Sequence, residues 1–217
     1  MVFHAAEILT ESGKKTGKII RLFNKDTIWP ENKLFYGSGK TNATASIMYR
    51  KKFMDNPPKW YFNTPVDDTP LALILSTKGT IAYIDEFMSV YRVGVLGSWN
   101  SQVHKNKEKM KMVLKKLIVM LDEFNKYSKY KYDEDIKYKK LELEIKLISF
   151  DSKINLISFM KHQKVILYLK KYSFLRKVKF VSKLYFPRVY EILSSYKFYI
   201  NLYFNNFKCK LLKRKVK

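Results

Sequence analysis

All seven glycines of this chain lie at or before Gly97, and beyond Pro70 the only proline is Pro187. Glycine supplies positive φ and proline a preset φ, so turn chemistry is dense in the first hundred residues and almost absent afterwards. Two folding styles are therefore predicted, mixed α/β first and helices second, with a boundary near Trp99–Val103. Charge divides the same way. Residues 1–100 carry 13 Lys/Arg against 9 Asp/Glu, a net of +4, and residues 101–217 carry 30 against 10, a net of +20. After Asp151 the one acidic residue is Glu191.

Despite a net charge of +24, the chain is 47% hydrophobic and 16% aromatic, which excludes a disordered polyelectrolyte. Its 217 residues suffice for a hydrophobic core. A single cysteine, Cys209, excludes an internal disulfide framework and a cysteine-based zinc knuckle. The opening Met1-Val-Phe-His-Ala-Ala-Glu7 has neither the basic nor the apolar region of a secretory signal. No charge-free run reaches the ~18 residues of a membrane-spanning helix. The expectation is an intracellular, reduced protein that is not integral to a membrane.

Residues 2–9 and 18–23 are apolar runs flanking Glu11-Ser-Gly-Lys-Lys-Thr-Gly17, which predicts a β-hairpin with a longer loop. Residues 43–49 fit a further strand or a strand-to-helix passage. Asp68-Thr-Pro-Leu-Ala-Leu-Ile-Leu-Ser-Thr-Lys78 followed by Gly79 predicts a helix with Asp68 as N-cap, Pro70 in the first turn and Gly79 just past the end. Residues 80–84 and 87–93 predict two short strands. Beyond Trp99, Met110, Val113, Leu114, Leu117, Ile118 and Leu121 recur at helical spacing. Residues 133–150 and 153–172 continue in that style, and residues 174–207 carry aromatics among lysines.

Several motifs read as structure rather than chemistry. Gly37-Ser-Gly-Lys-Thr41 lacks the first glycine of a phosphate loop, because Leu34 stands there, and is expected to be a surface loop. Asp133-Glu-Asp135 has metal-binding spacing but lies in a Lys/Tyr-rich segment, where a solvated helix start is expected. His4, His104 and His162 share no ligand spacing, and no metal ligand set is evident. A Gly-x-Ser-x-Gly elbow is absent. Asp67-Asp68 differs, because a carboxylate at a helix N-terminus in a loop entered by Pro65 is held ionised by backbone N–H groups.

Three segments in order resemble the second half of a family-2 glycosyltransferase of the GT-A fold. They are Thr44-Ala-Ser-Ile-Met-Tyr-Arg50, Pro65-Val-Asp-Asp-Thr-Pro-Leu71, and Gly79-Thr-Ile-Ala-Tyr-Ile-Asp-Glu-Phe-Met-Ser-Val-Tyr-Arg92 followed by Gly97-Ser-Trp99. Phe3-His4-Ala5 also resembles the strand that follows the family's metal-binding region. The resemblance implies a partial GT-A-like mixed sheet with flanking helices over residues 1–100, and the helical periodicity and charge beyond Trp99 predict an all-α basic extension over 101–217. It implies sugar transfer from a nucleotide-sugar donor to a hydroxyl of a glycan or lipid-linked acceptor, in cell-surface polysaccharide or glycoconjugate synthesis. Asp68 aligns with the family's general base. Asp67 stands where the family has glycine, which leaves assignment within the pair open. Trp60, Tyr61 and Trp99 are candidate walls of an acceptor pocket, with core packing as the alternative. The complete family enzyme is expected to use Mg or Mn, but the Asp-x-Asp motif and nucleotide-binding unit of its first half have no counterpart here. Gly94 replaces a histidine that many relatives place after the Tyr-Arg. The expectation is a fragment, or a subunit needing a partner, that is inactive alone and leaves an open sheet edge.

Residues 153–217 hold 17 Lys/Arg and one Glu, with aromatics interleaved, and end in Lys213-Arg-Lys-Val-Lys217. Such a segment suits an anionic membrane surface, which would make the protein peripheral on the cytoplasmic face. It also suits nucleic acid, although lysine greatly outnumbers arginine and no recognised binding motif occurs. A lysine-rich helical appendage is the third reading. A non-catalytic basic module binding membrane or nucleic acid is the alternative for the whole chain.

Overall fold

The computed structural model describes residues 1–29, 42–151 and 155–170, together with 177–178, 180–182, 186 and 190. The Gly37–Thr41 segment, most of the aromatic stretch 174–207 and the basic end at 213–217 lie outside the described residues. The chain divides into two compact units, Met1–Phe150 and Asp151–Lys217. The compositional shift near Trp99 marks the passage from strands to helices, and it falls inside the first unit.

In the first unit, β1 (Val2–Thr10) pairs antiparallel with β2 (Lys15–Ile20), a hairpin as predicted but with the second strand starting at Lys15, inside the predicted loop, and ending at Ile20. Gly13 turns the loop at φ +82°, and its N–H donates to Thr10 O at 3.0 Å. That backbone region favours glycine, since a Cβ would crowd the neighbouring carbonyl. On its other side β1 pairs in parallel with β4 (Ala82–Val93), which meets the two-residue β3 (Thr27–Ile28) in antiparallel. The result is a four-stranded mixed sheet in the order β2-β1-β4-β3.

The two short strands predicted over 80–93 are one strand. The register against β1 slips between His4 and Ala5 and again between Ala5 and Ala6, leaving Asp85, Glu86 and Met88 of β4 without opposite residues. Such bulges break the period-two pattern by which a strand is recognised. Arg21 holds the first bulge with a two-pronged bond to Asp85, from Nε at 2.7 Å and from the guanidinium tip at 2.5 Å. The buried Tyr83 hydroxyl donates to the same carboxylate at 3.1 Å, and the Asp85 N–H donates to Asp26 Oδ1 at 2.9 Å.

Residues 43–49 form neither a full strand nor a helix. Thr44–Ser46 is a single 3₁₀ turn, and Met48 makes one antiparallel bridge with Val2. The helix after Asp68 forms as α1 (Asp68–Ser76), but its ends differ from expectation. Asp67, not Asp68, holds the N-cap position, and its side chain makes no capping bond. The reason is local. Of the two N–H groups an Asp67 cap would take, Thr69 donates instead to Asp68 Oδ1, and Pro70 has none. At the other end Gly79 does not adopt positive φ. Thr77 closes the helix, donating N–H and hydroxyl to Ile74 O at 3.2 and 2.8 Å.

Every described element after β4 is a helix. Gly94 and Gly97, at φ +81° and +79°, turn the chain into α2 (Trp99–Lys105), followed by α3 (Lys107–Tyr127) and α4 (Asp133–Ser149). The apolar face predicted for α3 is the face that packs. Met110, Leu114, Leu121 and Phe124 are buried with Leu73 of α1, Val103 of α2, and Ile136 and Leu143 of α4. A second cluster forms where Phe3, Ala5, Ile81 and Tyr83 meet Phe23 and Trp29 beneath the sheet.

In the second unit, α5 (Leu156–Lys161) and α6 (Gln163–Lys170) are separated at His162. Phe159 is buried on α5, and Val165, Tyr168 and Leu169 on α6, with Tyr168 against Phe180 at 5.0 Å.

Candidate functional site

The Asp67–Asp68 pair sits where α1 begins, and α1 is anchored by Leu71, Leu73, Ile74 and Leu75, all buried. The loop leading in starts at a 3₁₀ turn, Lys59–Asn63, and is braced by Thr64. The Thr64 hydroxyl lies 2.8 Å from both Tyr61 O and Val66 O, tying the turn to the residue just before the acidic pair. The carboxylates are thus carried on a fixed entry rather than a free loop.

The two aspartates differ. Asp67 is exposed, and its carboxylate makes no hydrogen bond among the described residues. Asp68 is half-buried. Its Oδ1 accepts from the Thr69 N–H at 2.7 Å and from the Thr69 hydroxyl at 3.3 Å, while Oδ2 accepts nothing among the described residues. One oxygen is oriented by the chain, and the other stays available for a proton.

Trp60 and Tyr61 are adjacent in sequence but point apart, because successive residues of a 3₁₀ turn are ~120° apart. Tyr61 belongs to the acidic pair's surroundings. Burial pushes its phenol above the ordinary value, and the nearby Asp67 charge and Tyr49 push the same way, so it remains a neutral O–H donor at neutral pH. Trp60 turns toward the helices and meets Phe124 and Tyr127 edge-on at 6.4 and 6.1 Å. Its indole Nε1 is buried without a hydrogen-bond partner among the described residues. There it lines a cleft of about 410 Å³ with Lys59, Asn63, Lys116, Met120 and Glu123. Trp99 opens α2 at 46% exposure, and no hydrogen bond or ring contact joins it to either aspartate. The five residues singled out from sequence therefore separate into Asp67, Asp68 and Tyr61 together, Trp60 on the cleft against α3, and Trp99 apart.

Asp133, Glu134, His4 and His162 have structural partners, and the His104 side chain lies outside the described residues. Asp133 starts α4, accepts from Asn125 Nδ2 at 2.8 Å and pairs with Lys137 at 2.6 Å, which holds its carboxyl below the usual range. Glu134 shares Lys137 at 3.2 Å. His4 donates from Nδ1 to Ala5 O at 2.9 Å, and His162 Nδ1 accepts the Lys164 N–H at 3.3 Å. Among the described residues no three His, Cys, Asp or Glu side chains converge on a point where a metal could sit. Asp67 and Asp68 have no third donor beside them, so these residues do not fit a divalent ion, and no step below runs through one.

Sequence reasoning missed the Arg21–Tyr83–Asp85–Asp26 knot and the Trp60 cleft. Arg21 and Asp85 are 64 positions apart, and no local pattern links them. The cleft depends on which way Trp60 faces, which composition does not encode. Comparison with known protein families, with curated proteins and with solved structures yields no match to this chain.

Proposed function

We propose that residues 1–100 form the acceptor side of a family-2 glycosyltransferase of GT-A-like architecture, with residues 101–217 as its basic helical extension. The observation that carries the reading is the Asp68 carboxylate at the start of α1, with Oδ1 oriented by Thr69 and Oδ2 accepting no hydrogen bond among the described residues. In this role Oδ2 takes the proton of an acceptor hydroxyl. The hydroxyl oxygen then bonds to the anomeric carbon of the donor sugar, and the nucleotide diphosphate leaves with the electron pair of the bond it held. Tyr61, neutral and beside Asp67, hydrogen-bonds the acceptor. Asp67 is the alternate base within the pair.

The donor-binding residues and any metal ligands of such an enzyme are to be sought in a further segment or a partner subunit, and residues 1–217 alone do not transfer sugar. The outer edge of β4 supports this reading. From Ile84 onward that edge has no strand beside it among the described residues, and Phe87, Met88 and Val90 are exposed there. An unpaired edge with exposed apolar side chains is a surface for another polypeptide segment.

The test uses the protein isolated from its source cells with whatever accompanies it, supplied with labelled nucleotide sugars. Asp68→Asn is expected to lower transfer by about a hundred- to ten-thousand-fold, and Asp67→Asn by much less. Transfer that survives Asp68→Asn unchanged, in a variant with the native far-ultraviolet spectrum, overturns the assignment.

A further inference from the structure

The helices α5 and α6 each keep an inner row and turn other large apolar side chains outward. Ile157 on α5 is 68% exposed, and Ile166 and Leu167 on α6 are 45% and 56% exposed, with Met160 also exposed. Lys161, Lys164 and Lys170 are exposed on the same two helices. Leu167 lies between Lys164 and Lys170 at i−3 and i+3, so the three share one helix face. Residues 152–190 contain no Asp or Glu at all.

Exposed aliphatics bracketed by lysines, in a stretch of sequence without acids, constrain what can cover them. A second copy would set lysine against lysine. Single-stranded nucleic acid is held by aromatic stacking and arginine, whereas the outward residues here are aliphatic. An anionic bilayer answers both features, since its acyl boundary takes the aliphatic side chains while the lysine stems lie along it and reach the headgroups. No described helix is long and apolar enough to cross a membrane, so the contact would be with one face of the bilayer. We propose that the outward sides of α5 and α6 form a docking surface for an anionic lipid membrane. The inference does not depend on sugar transfer, and the variants that test it leave Asp68 untouched.

The full chain would be floated with phosphatidylcholine vesicles, with and without phosphatidylserine. Binding is expected only when phosphatidylserine is present. Lys161→Gln, Lys164→Gln and Lys170→Gln each weaken it by about fivefold. The double change Ile166→Ser with Leu167→Ser weakens it by roughly tenfold or more, as does Ile157→Ser with Met160→Ser on the other helix. Failure to bind either vesicle overturns the proposal. So does binding that the serine variants leave unchanged, or that an oligonucleotide or an acidic protein competes away while the serine variants still compete normally. If a serine variant loses its native circular dichroism, the lysine series and the other helix's pair decide.

Discussion

Asp68 and Asp85 show how much of a carboxylate's role depends on its neighbours. Asp68 was legible in the sequence because an acidic residue followed by proline and an apolar run announces a helix start. Its hydrogen bonding is not legible in the sequence, since the absence of an N–H on Pro70 and the donation of the Thr69 N–H and hydroxyl to Asp68 Oδ1 decide it. Asp85 stands in the gap between the two short strands that the sequence predicts, and its partner Arg21 arrives from just beyond β2. Arg21 is the main reason the Asp85 carboxyl lies below the usual range, with the Tyr83 hydroxyl adding to it. A carboxyl depressed by folding contributes stability that is full above its unfolded value of about 3.9 and is lost as pH falls through its lower folded value. Asp85→Asn is therefore expected to lower the melting temperature at neutral pH and to shrink its deficit as the solution is acidified toward the folded pKa. Melting curves collected across that range check it, and a deficit that stays constant with pH contradicts the ion-pair account.

At the scale of elements, legibility followed periodicity. The α3 helix was readable because one face repeats apolar residues at helical spacing, and that face is the buried one. Leu114 is 2% exposed in the α1–α4 core, whereas Met112, two positions away, is 60% exposed. Leu114→Ala is expected to cost about 2–5 kcal/mol in unfolding free energy. Met112→Ala should fall within about 0.5 kcal/mol of the parent. Denaturant titration distinguishes them, and equal costs would mean that α3 is rotated about its axis. The β4 strand reads in the sequence as two pieces because its bulges shift the pleat, and a shifted pleat destroys the alternation that identifies a strand. Trp60 and Tyr61 stand out in the sequence as aromatics beside an acidic loop. Their separation, one into the cleft and one toward Asp67, follows from the 3₁₀ turn and was not predictable from adjacency.

At the scale of the whole molecule, the steep change in glycine, proline and charge near residue 100 falls where strands give way to helices among the described residues. It does not mark the edge of a compact unit, because composition reports local conformation whereas compactness depends on which apolar faces meet. Leu73 of α1 packs with Leu114 of α3 and Leu143 of α4, so the helices after Trp99 complete the core that supports the Asp67–Asp68 entry. At this scale the central claim is that residues 1–217 supply one side of a two-sided catalytic centre. The most direct measurement is the mass of the native species that contains this chain, captured from its source cells with an antibody against residues 101–217 and analysed without denaturation. The account predicts a polypeptide or complex well above 25.9 kDa that includes a nucleotide-sugar-binding segment. A species of 25.9 kDa, alone in solution, that transfers sugar without any partner would contradict it.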